Sequence, residues 1–522
     1  MMPQLPLWQY VAVVAFLTYV GSVYVRRYVK WKKVESLGGE SPRVTTRFIF
    51  GLDFPLHSTR AIVKDRAAEF WQWIFEHTNT ASNGNGSYTC ELHILENERV
   101  IFSADPENIK AVLTTQFQDF GKGEQFHSEW KDFLGNSIFT TDGQQWHDSR
   151  QLIRPMFIRE KVADLPLIET HVHSLISLLG PGDGRMVMLN KLLYRFTLDA
   201  ATHFLFGHSV GSLQTEQSEF ATAFDEVQRV QSLESRLGPF RHFHSRRSFW
   251  ESLRKMEAFI EPFVTEASAL SPSELESKLS RSETFIHALA GHTRDRKMMR
   301  DQLTALLLAG RDSTAATMSW VFLELAKNPR VVEKLRAEIV HFLGDDGRPP
   351  SYQEIKDMKY LTYTINETLR LYPVVPFNVR CALTDTSLPR GGGMDGNGPV
   401  GCPSGTAFGY SSLVLHRRRD LYPPISEAFP YDPLEWVPDR WATWTPKAWN
   451  FIPFNGGPRI CIGQQFAMVE MGYTIVRILQ EFDQIIDYGN DRSMHADIIL
   501  TPANGVKVGF VTHGGQGKKV GM

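Results

Sequence analysis

Residues 5–25, "LPLWQYVAVVAFLTYVGSVYV", contain no charged side chain. At 1.5 Å per residue, 21 helical residues span roughly 31 Å, enough for a bilayer core. Trp8 and Tyr10 stand near one end of the run, and Tyr24, Tyr28 and Trp31 near the other, as interface aromatics do. No Lys or Arg precedes the run, whereas Arg26, Arg27, Lys30, Lys32 and Lys33 follow it. This asymmetry predicts a single membrane helix with everything after it on the cytosolic side. A cleaved signal peptide is the competing reading. The missing basic n-region and the lack of an A-x-A-like site argue against it.

After the anchor, helical periodicity dominates. "RDQLTALLLAGRDSTAATMSWVFLELAKN" (300–328) reads as one long, nearly apolar helix ended by Pro329. Residues 330–343 form an amphipathic helix with Val332, Leu335, Ile339 and Leu343 on one face. Residues 352–373 contain another, stopped by Pro373, and residues 463–482 a fourth. Strand signals are short and late. "GVKVGFVT" (505–512) alternates, and Asn504-Gly505 before it favours a tight hairpin turn. "SNGNGS" (82–87) and "GGGMDGNG" (391–398) read as flexible loops. The expected fold is mainly α with small peripheral β-sheets. It is laid out as residues 1–33 for the anchor and basic flank, 34–512 for one catalytic domain and 513–522 for a flexible tail.

A net charge of −2 offers no electrostatic footprint for nucleic acid. The four cysteines, Cys90, Cys381, Cys402 and Cys461, form no C-x-x-C or zinc spacing. For most of them a buried free thiol is the plain reading.

Cys461 differs in its setting, "FNGGPRICIG" (454–463). A thiolate ligates iron only when deprotonated, shielded and held still. Phe454 is placed to cover the sulfur. Gly456 and Gly457 allow a sharp turn that brings backbone N–H groups toward it. Arg459 is suited to an anionic group on a cofactor rim. Gly463 opens the next helix where a larger residue would strike a flat macrocycle. A small buried cysteine in a glycine turn is the competing reading, and five agreeing positions weigh against it.

The long helix is interrupted at its middle by "AGRDST" (309–314). Gly310 costs about 1 kcal/mol against Ala in a helix interior, and Asp312, Ser313 and Thr314 are polar groups inside an apolar run. Glu367 and Arg370 form E-x-x-R on one helix face. Glu251 and Arg254 share that spacing and are expected to be a mere surface pair. Trp146 and Arg150 form W-x-x-x-R in "TTDGQQWHDSRQLIRPMF" (140–157).

Together these stretches resemble the cytochrome P450 superfamily. "FNGGPRICIG" matches its haem signature F-x-x-G-x-R-x-C-x-G, and "AGRDST" resembles its oxygen-binding motif, with Ser313 where threonine is usual. The resemblance implies a P450 fold and a haem b cofactor with Cys461 as axial ligand. Phe454, Gly457, Arg459 and Gly463 would lie around the haem, and Trp146, Arg150 and Arg380 would hold its propionates. It also implies a local opening of the long helix, with Asp312 and Ser313 relaying protons and Thr314 assisting. Glu367, Arg370 and Arg440 (in "PDRW", 438–441) would form a structural network. His416 falls where the family has a common His-Arg pair and is either a site residue or structural. "TSLPRGGGMDG" and "GQQFA" look like the fungal microsomal group that hydroxylates n-alkanes and fatty acids. The proline-rich hinge common after the anchor is reduced to Pro42.

The expected function is therefore a monooxygenase placing one oxygen atom of O2 into a C–H bond of a hydrophobic substrate, a long aliphatic chain foremost. Tailoring of a terpenoid or polyketide is the alternative. A haem-thiolate isomerase or haem sensor is a third reading, disfavoured by the acid–alcohol pair. The chain runs about 60 residues past Cys461, so no fused flavin domain is expected. Electrons would come from NADPH–cytochrome P450 reductase, with cytochrome b5 as a possible second donor, on the endoplasmic reticulum membrane. Residues 120–140, 218–232 and 500–505 occupy the family's pocket-lining positions.

Overall fold

The computed structural model describes residues 7–44, 53–80, 88–94, 98–157, 165–215, 218–237, 244–281, 284–393 and 395–512. Its helices are α1 (Leu7–Ser36), α2 (Asp53–Val63), α3 (Ala67–Thr80), α4 (Pro106–Lys110), α5 (Gly123–Leu134), α6 (Gly143–Ile153), α7 (Leu165–Leu179), α8 (Leu189–Phe206) and α9 (Glu219–Leu237). There follow α10 (Arg247–Ala269), α11 (Pro272–Arg281), α12 (Phe285–His292), α13 (Arg296–Lys327), α14 (Pro329–Leu343), α15 (Tyr352–Asp357), α16 (Lys359–Leu371), α17 (Ser412–Leu415) and α18 (Gln464–Glu481). The strands are β1 (Thr89–Ile94), β2 (Glu98–Ser103), β3 (Phe120–Gly121), β4 (Asp183–Met188), β5 (Phe377–Ala382) and β6 (Thr386–Gly392). The rest are β7 (Gly398–Cys402), β8 (Ala407–Ser411), β9 (Gln484–Asp487), β10 (Met494–Ala496), β11 (Leu500–Pro502) and β12 (Lys507–Val511).

Two compact units emerge. The first comprises Met1–Arg60, Glu69–Gly123 and Phe377–Ser411. It holds a five-stranded sheet in the order β1-β2-β8-β5-β3, with β2 and β8 parallel and the other pairs antiparallel. From Gln9 to Ser36, α1 is long and apolar enough to cross a membrane. It continues through the basic cluster to Ser36 and stops before Gly38 and Gly39, both at positive φ. There the Gly39 N–H donates to Val34 O at 2.9 Å, and Gly401 N–H on β7 donates to Gly39 O at 2.9 Å. Val34 is buried, and Lys33 pairs with Asp385 at 2.8 Å. The C-terminal end of α1 is thus seated on the β6–β7 hairpin.

The second unit comprises Ala61–Ala68, Glu124–Pro376 and Ser412–Met522. Its axis is α13, a largely apolar helix that is buried along most of its length, with Asp301, Arg311, Asp312 and Glu324 carried inside. Asp295 starts this helix by accepting from the N–H groups of Lys297 and Met298 at 2.9 and 3.1 Å. Asn328 and Pro329 end it. α13 packs most extensively along α8. The α13 residues Met318, Trp320 and Leu323 join α7, α14, α16 and α18 in one apolar core. The amphipathic reading of residues 330–343 is met, since Val332, Leu335, Ile339 and Leu343 are all buried.

Several expectations change. Residues 352–373 form two helices, because Ser351 and Glu354 make a capping box on α15 and the chain restarts at Lys359. Gly505 does turn at positive φ, but no hairpin results: β11 pairs with β10, whereas β12 pairs with β4 and β9. Gly392 pairs with Gly398 at the end of the β6–β7 hairpin, so both ends of the 391–398 stretch belong to the sheet. Glu251 pairs with Arg247 rather than Arg254. α13 runs through Gly310 as continuous α-helix, without the local opening. Residues 82–87 and 513–522 lie outside the described residues.

Candidate active site

The Cys461 loop is shaped by its own backbone. Asn455 and Gly457 adopt φ of +67° and +65°, a region that glycine enters freely and asparagine tolerates. A Cβ on Gly456 would lie 2.5 Å from the Trp449 ring. The Ile460 N–H donates to Gly457 O at 3.0 Å, and the Cys461 N–H returns to Phe454 O at 2.9 Å. This last bond closes the loop and holds the cysteine still. Phe454 itself packs against the apolar core. Gly463 has φ of −88°, and a Cβ there would make only ordinary contact with Phe157 at 3.5 Å. Among the described residues, no contact requires glycine at 463.

Cys461 stands just before the N-terminus of α18, whose partial positive charge favours an anion. The side chain is solvent-accessible on one side and enclosed by protein on the others. Burial pushes the thiol up, while the Gly463 N–H and the Arg150 charge oppose that rise.

Trp146 and Arg150, one turn apart on α6, converge on this loop. The Arg150 guanidinium donates to Ile460 O at 3.0 Å and lies 6.0 Å from the Trp146 ring centroid. Arg459 approaches the same indole at 4.6 Å. It also bonds to Thr141 O at 2.8 Å and to Asp142 Oδ1 at 2.6 Å. Asp142 was not anticipated, although its place at the head of α6 was visible in "TTDGQQW". Arg380 belongs to the first unit. It is buried on β5, donates to Val379 O at 2.9 Å and lies 5.9 Å from the Tyr410 ring.

Along α13, every residue from Asp301 to Ala326 is buried except Leu308, Ala309, Gly310 and Ser313. The Ser313 hydroxyl donates to Ala309 O at 2.8 Å, a back-bond to the i−4 carbonyl. Thr314 is buried. Asp312 is buried on the flank of this patch, and its carboxyl is pushed up to about 6. Burial is the main cause; Arg311 opposes it, Asp225 adds to it, and a Gln228 hydrogen bond opposes it again. Arg311 and Asp225 escaped the motif reading. The available signal was a charged residue, Arg311, inside an apolar helix.

Glu367 on α16 is fully buried. It accepts two bonds from Arg370 (2.8 and 2.9 Å), one from Arg440 Nε (2.9 Å), and one each from the Val437 N–H (2.8 Å) and Trp441 Nε1 (3.0 Å). Burial works against ionisation, yet the two guanidiniums and these donors hold the carboxyl below its usual range. His416 is fully buried and pushed down to about 3, by burial first and then by Arg370. Its Nε2 accepts from the Ile452 N–H at 2.9 Å, so the ring is neutral and serves the structure.

The cytochrome P450 family model matches residues 89–510. The chain belongs to the cytochrome P450 family. It is 46% identical over 502 residues to the cytochrome P450 monooxygenase pvhE of Talaromyces variabilis, covering 92% of this chain and 91% of that protein. It is 40% identical over 423 residues to cytochrome P450 52A13 of Debaryomyces hansenii, covering 78% and 79%. With the cytochrome P450 monooxygenase alt2 of Alternaria solani it shares 35% over 505 residues, covering 90% of each. The P450 is therefore a monooxygenase, an oxidoreductase whose family works through haem iron on a thiolate, with a redox partner and hydrophobic substrates.

The donor set fits that cofactor. An accessible sulfur has an amide N–H aimed at it, a cation beside it and a helix N-terminus behind it, all of which favour thiolate. Two arginines stand beside the same indole, Arg150 bonded to Ile460 O and Arg459 paired with Asp142, and so concentrate positive charge next to the cysteine loop.

Proposed function

We propose that this P450 hydroxylates a long aliphatic chain, an alkane or a fatty acid. The observation that supports this substrate class is the accessible patch in α13. Its side chains are leucine, alanine, glycine and one serine, with no charged group among them. Such a surface suits an extended hydrocarbon, which needs water excluded and few polar contacts. The stretches "TSLPRGGGMDG" and "GQQFA", which resemble fungal alkane and fatty-acid hydroxylases, support the same reading.

In this reading Cys461 holds haem b through its thiolate, with Phe454 covering the sulfur and Gly457 and Gly463 giving the loop its room. Trp146, Arg150 and Arg459 hold the carboxylates of the cofactor rim. Bound haem supplies the oxygen activation and C–H oxidation. The chain's own task is to orient the substrate and deliver protons. Ser313 and Thr314 offer hydroxyls, and Asp312 holds an exchangeable proton near neutral pH because of its burial. Glu367, Arg370 and Arg440 keep the surrounding core in register. Residues 1–33 serve as an endoplasmic reticulum anchor, 34–512 as a cytosolic catalytic domain and 513–522 as a tail. NADPH–cytochrome P450 reductase, aided by cytochrome b5, supplies electrons.

A second reading is the tailoring of a terpenoid or polyketide. A spin-shift titration with lauric acid, hexadecane and polycyclic terpenoids separates the two. A full low-to-high-spin shift with lauric acid or hexadecane is expected. A shift with the terpenoids alone would replace the aliphatic reading with the second.

A further inference from the structure

Arg311 lies at the variable position of "AGRDST" and is buried in the second unit. Its guanidinium is stacked near the rings of Tyr194 on α8 and Phe224 on α9, at 5.3 and 5.2 Å. NH1 donates to Asp225 Oδ1 on α9 at 2.5 Å and lies 3.3 Å from Asp312 Oδ1. The second contact is not a hydrogen bond. Arg311 Nε and Asp312 Oδ1 are each buried without a hydrogen-bond partner among the described residues.

Adjacent helix residues project about 100° apart, so Arg311 must fold back to engage Asp312 fully. It cannot do so while Asp225 holds it. The Asp225 side chain is 61% exposed, so water competes for that carboxylate, whereas Asp312 is enclosed. The guanidinium therefore has one solvated and one buried partner, and an unused donor beside an unused acceptor.

We propose that Arg311 is a positioning residue that divides its charge between Asp225 and Asp312, so that the seat of α9 sets the charge on Asp312. With α9 seated, Asp225 draws the guanidinium outward and adds its own negative charge beside Asp312. Both effects favour the protonated acid. With Asp225 withdrawn, Arg311 turns to Asp312 and favours the carboxylate. The groups acting on Asp312 are Arg311 on its own helix, Asp225 and Gln228 on α9, and Tyr194 on α8. Tyr194 stays neutral, because burial and Asp312 both push its hydroxyl up. The proton relay would then be tuned by the helix carrying Asp225. This consequence rests on reading Asp312 as the relay acid; the electrostatic coupling itself does not.

The test is the protonation midpoint of Asp312, read by pH-difference infrared spectroscopy on full-length holoenzyme in lipid nanodiscs, with Asp312→Asn as the subtraction reference. Arg311→Gln removes the cation, and the midpoint should rise by roughly one unit or more. Asp225→Asn removes an anion and releases Arg311, and the midpoint should fall by a similar amount. Arg311→Lys should restore most of the parent midpoint. Opposite shifts support the coupling; equal-signed shifts or none overturn it. Asp225 is a surface carboxylate, so Asp225→Asn alone decides the matter if Arg311→Gln fails to fold. Peroxide release per NADPH is followed in parallel. Opposite midpoint shifts with unchanged release in Asp312→Asn would remove Asp312 from the relay while leaving the coupling intact.

Discussion

Glu367→Gln provides the sharpest test of the buried ion-pair network that joins α16 to residues 437–441. The substitution keeps the volume and removes one charge from a site with no solvent exposure. Five donors converge on the two carboxylate oxygens. A glutamine can place an oxygen toward only one set. If its NH2 replaces Oε2, it faces the N–H groups of Arg370 and Trp441 donor to donor. Arg370 and Arg440 then share the interior without a counter-charge. Breaking a buried pair in this way costs about 3–5 kcal/mol, a large part of a typical folding free energy of about 5–15 kcal/mol. At about 2.1 cal/mol/K per residue, a unit of roughly 370 residues unfolds with about 0.8 kcal/mol/K, so about 4 kcal/mol lowers the transition by about 5 °C. Differential scanning fluorimetry would measure the shift, with haem content followed by the reduced–CO spectrum. Glu251→Gln, at the exposed pair with Arg247, is the control and should not move the transition measurably. A Glu367→Gln protein melting within about 1 °C of the parent would refute the reasoning, because burial would then carry no penalty for the missing charge.

Cys461→Ala should abolish the thiolate-type reduced–CO band; a haem retained with an unchanged spectrum would overturn the ligand assignment. Ser313→Ala removes the hydroxyl now bonded to Ala309 O and should raise peroxide release per NADPH consumed. Unchanged coupling would pass the relay to Thr314 or water. Glu91 in the first unit supplies a pH dependence. Burial opposes its ionisation, but His93, Arg99 and the Ser41 N–H hold it down at about 2, against 4.5 when unfolded. A lowered folded value means stability that is complete above the unfolded value and lost as pH falls from about 4.5 toward 2. Hydrogen exchange on β1 and β2 should accelerate across that window in the parent; in Glu91→Gln, β1 and β2 should already exchange faster at neutral pH and show no further acid step.

Much of this was legible because it is local. The Cys461 loop depends on glycine and asparagine conformations within a few residues, and E-x-x-R places its pair on one face of a single helix. The long helix at 300–328 declared its burial through a nearly apolar run. The misreadings also have local causes. Asn504-Gly505 does turn, but a turn does not say which strands flank it, and here they enter different sheets. The E-x-x-R spacing at Glu251 was outcompeted by an arginine one turn earlier. The motif at 309–314 named an acid and an alcohol, and the arginine between them and the glycine passed as filler.

What the sequence determined by itself was therefore the long apolar N-terminal helix, the mainly α class and the turn that carries Cys461. Each follows from hydrophobicity, periodicity or backbone freedom within one segment. Tertiary structure alone decided the partners of the charges that meet across distant segments. Arg459 meets an aspartate 317 residues away, and Arg311 one 86 residues away. A buried guanidinium is held by whichever carboxylate the packing of distant helices brings within reach, and no window along the chain contains both.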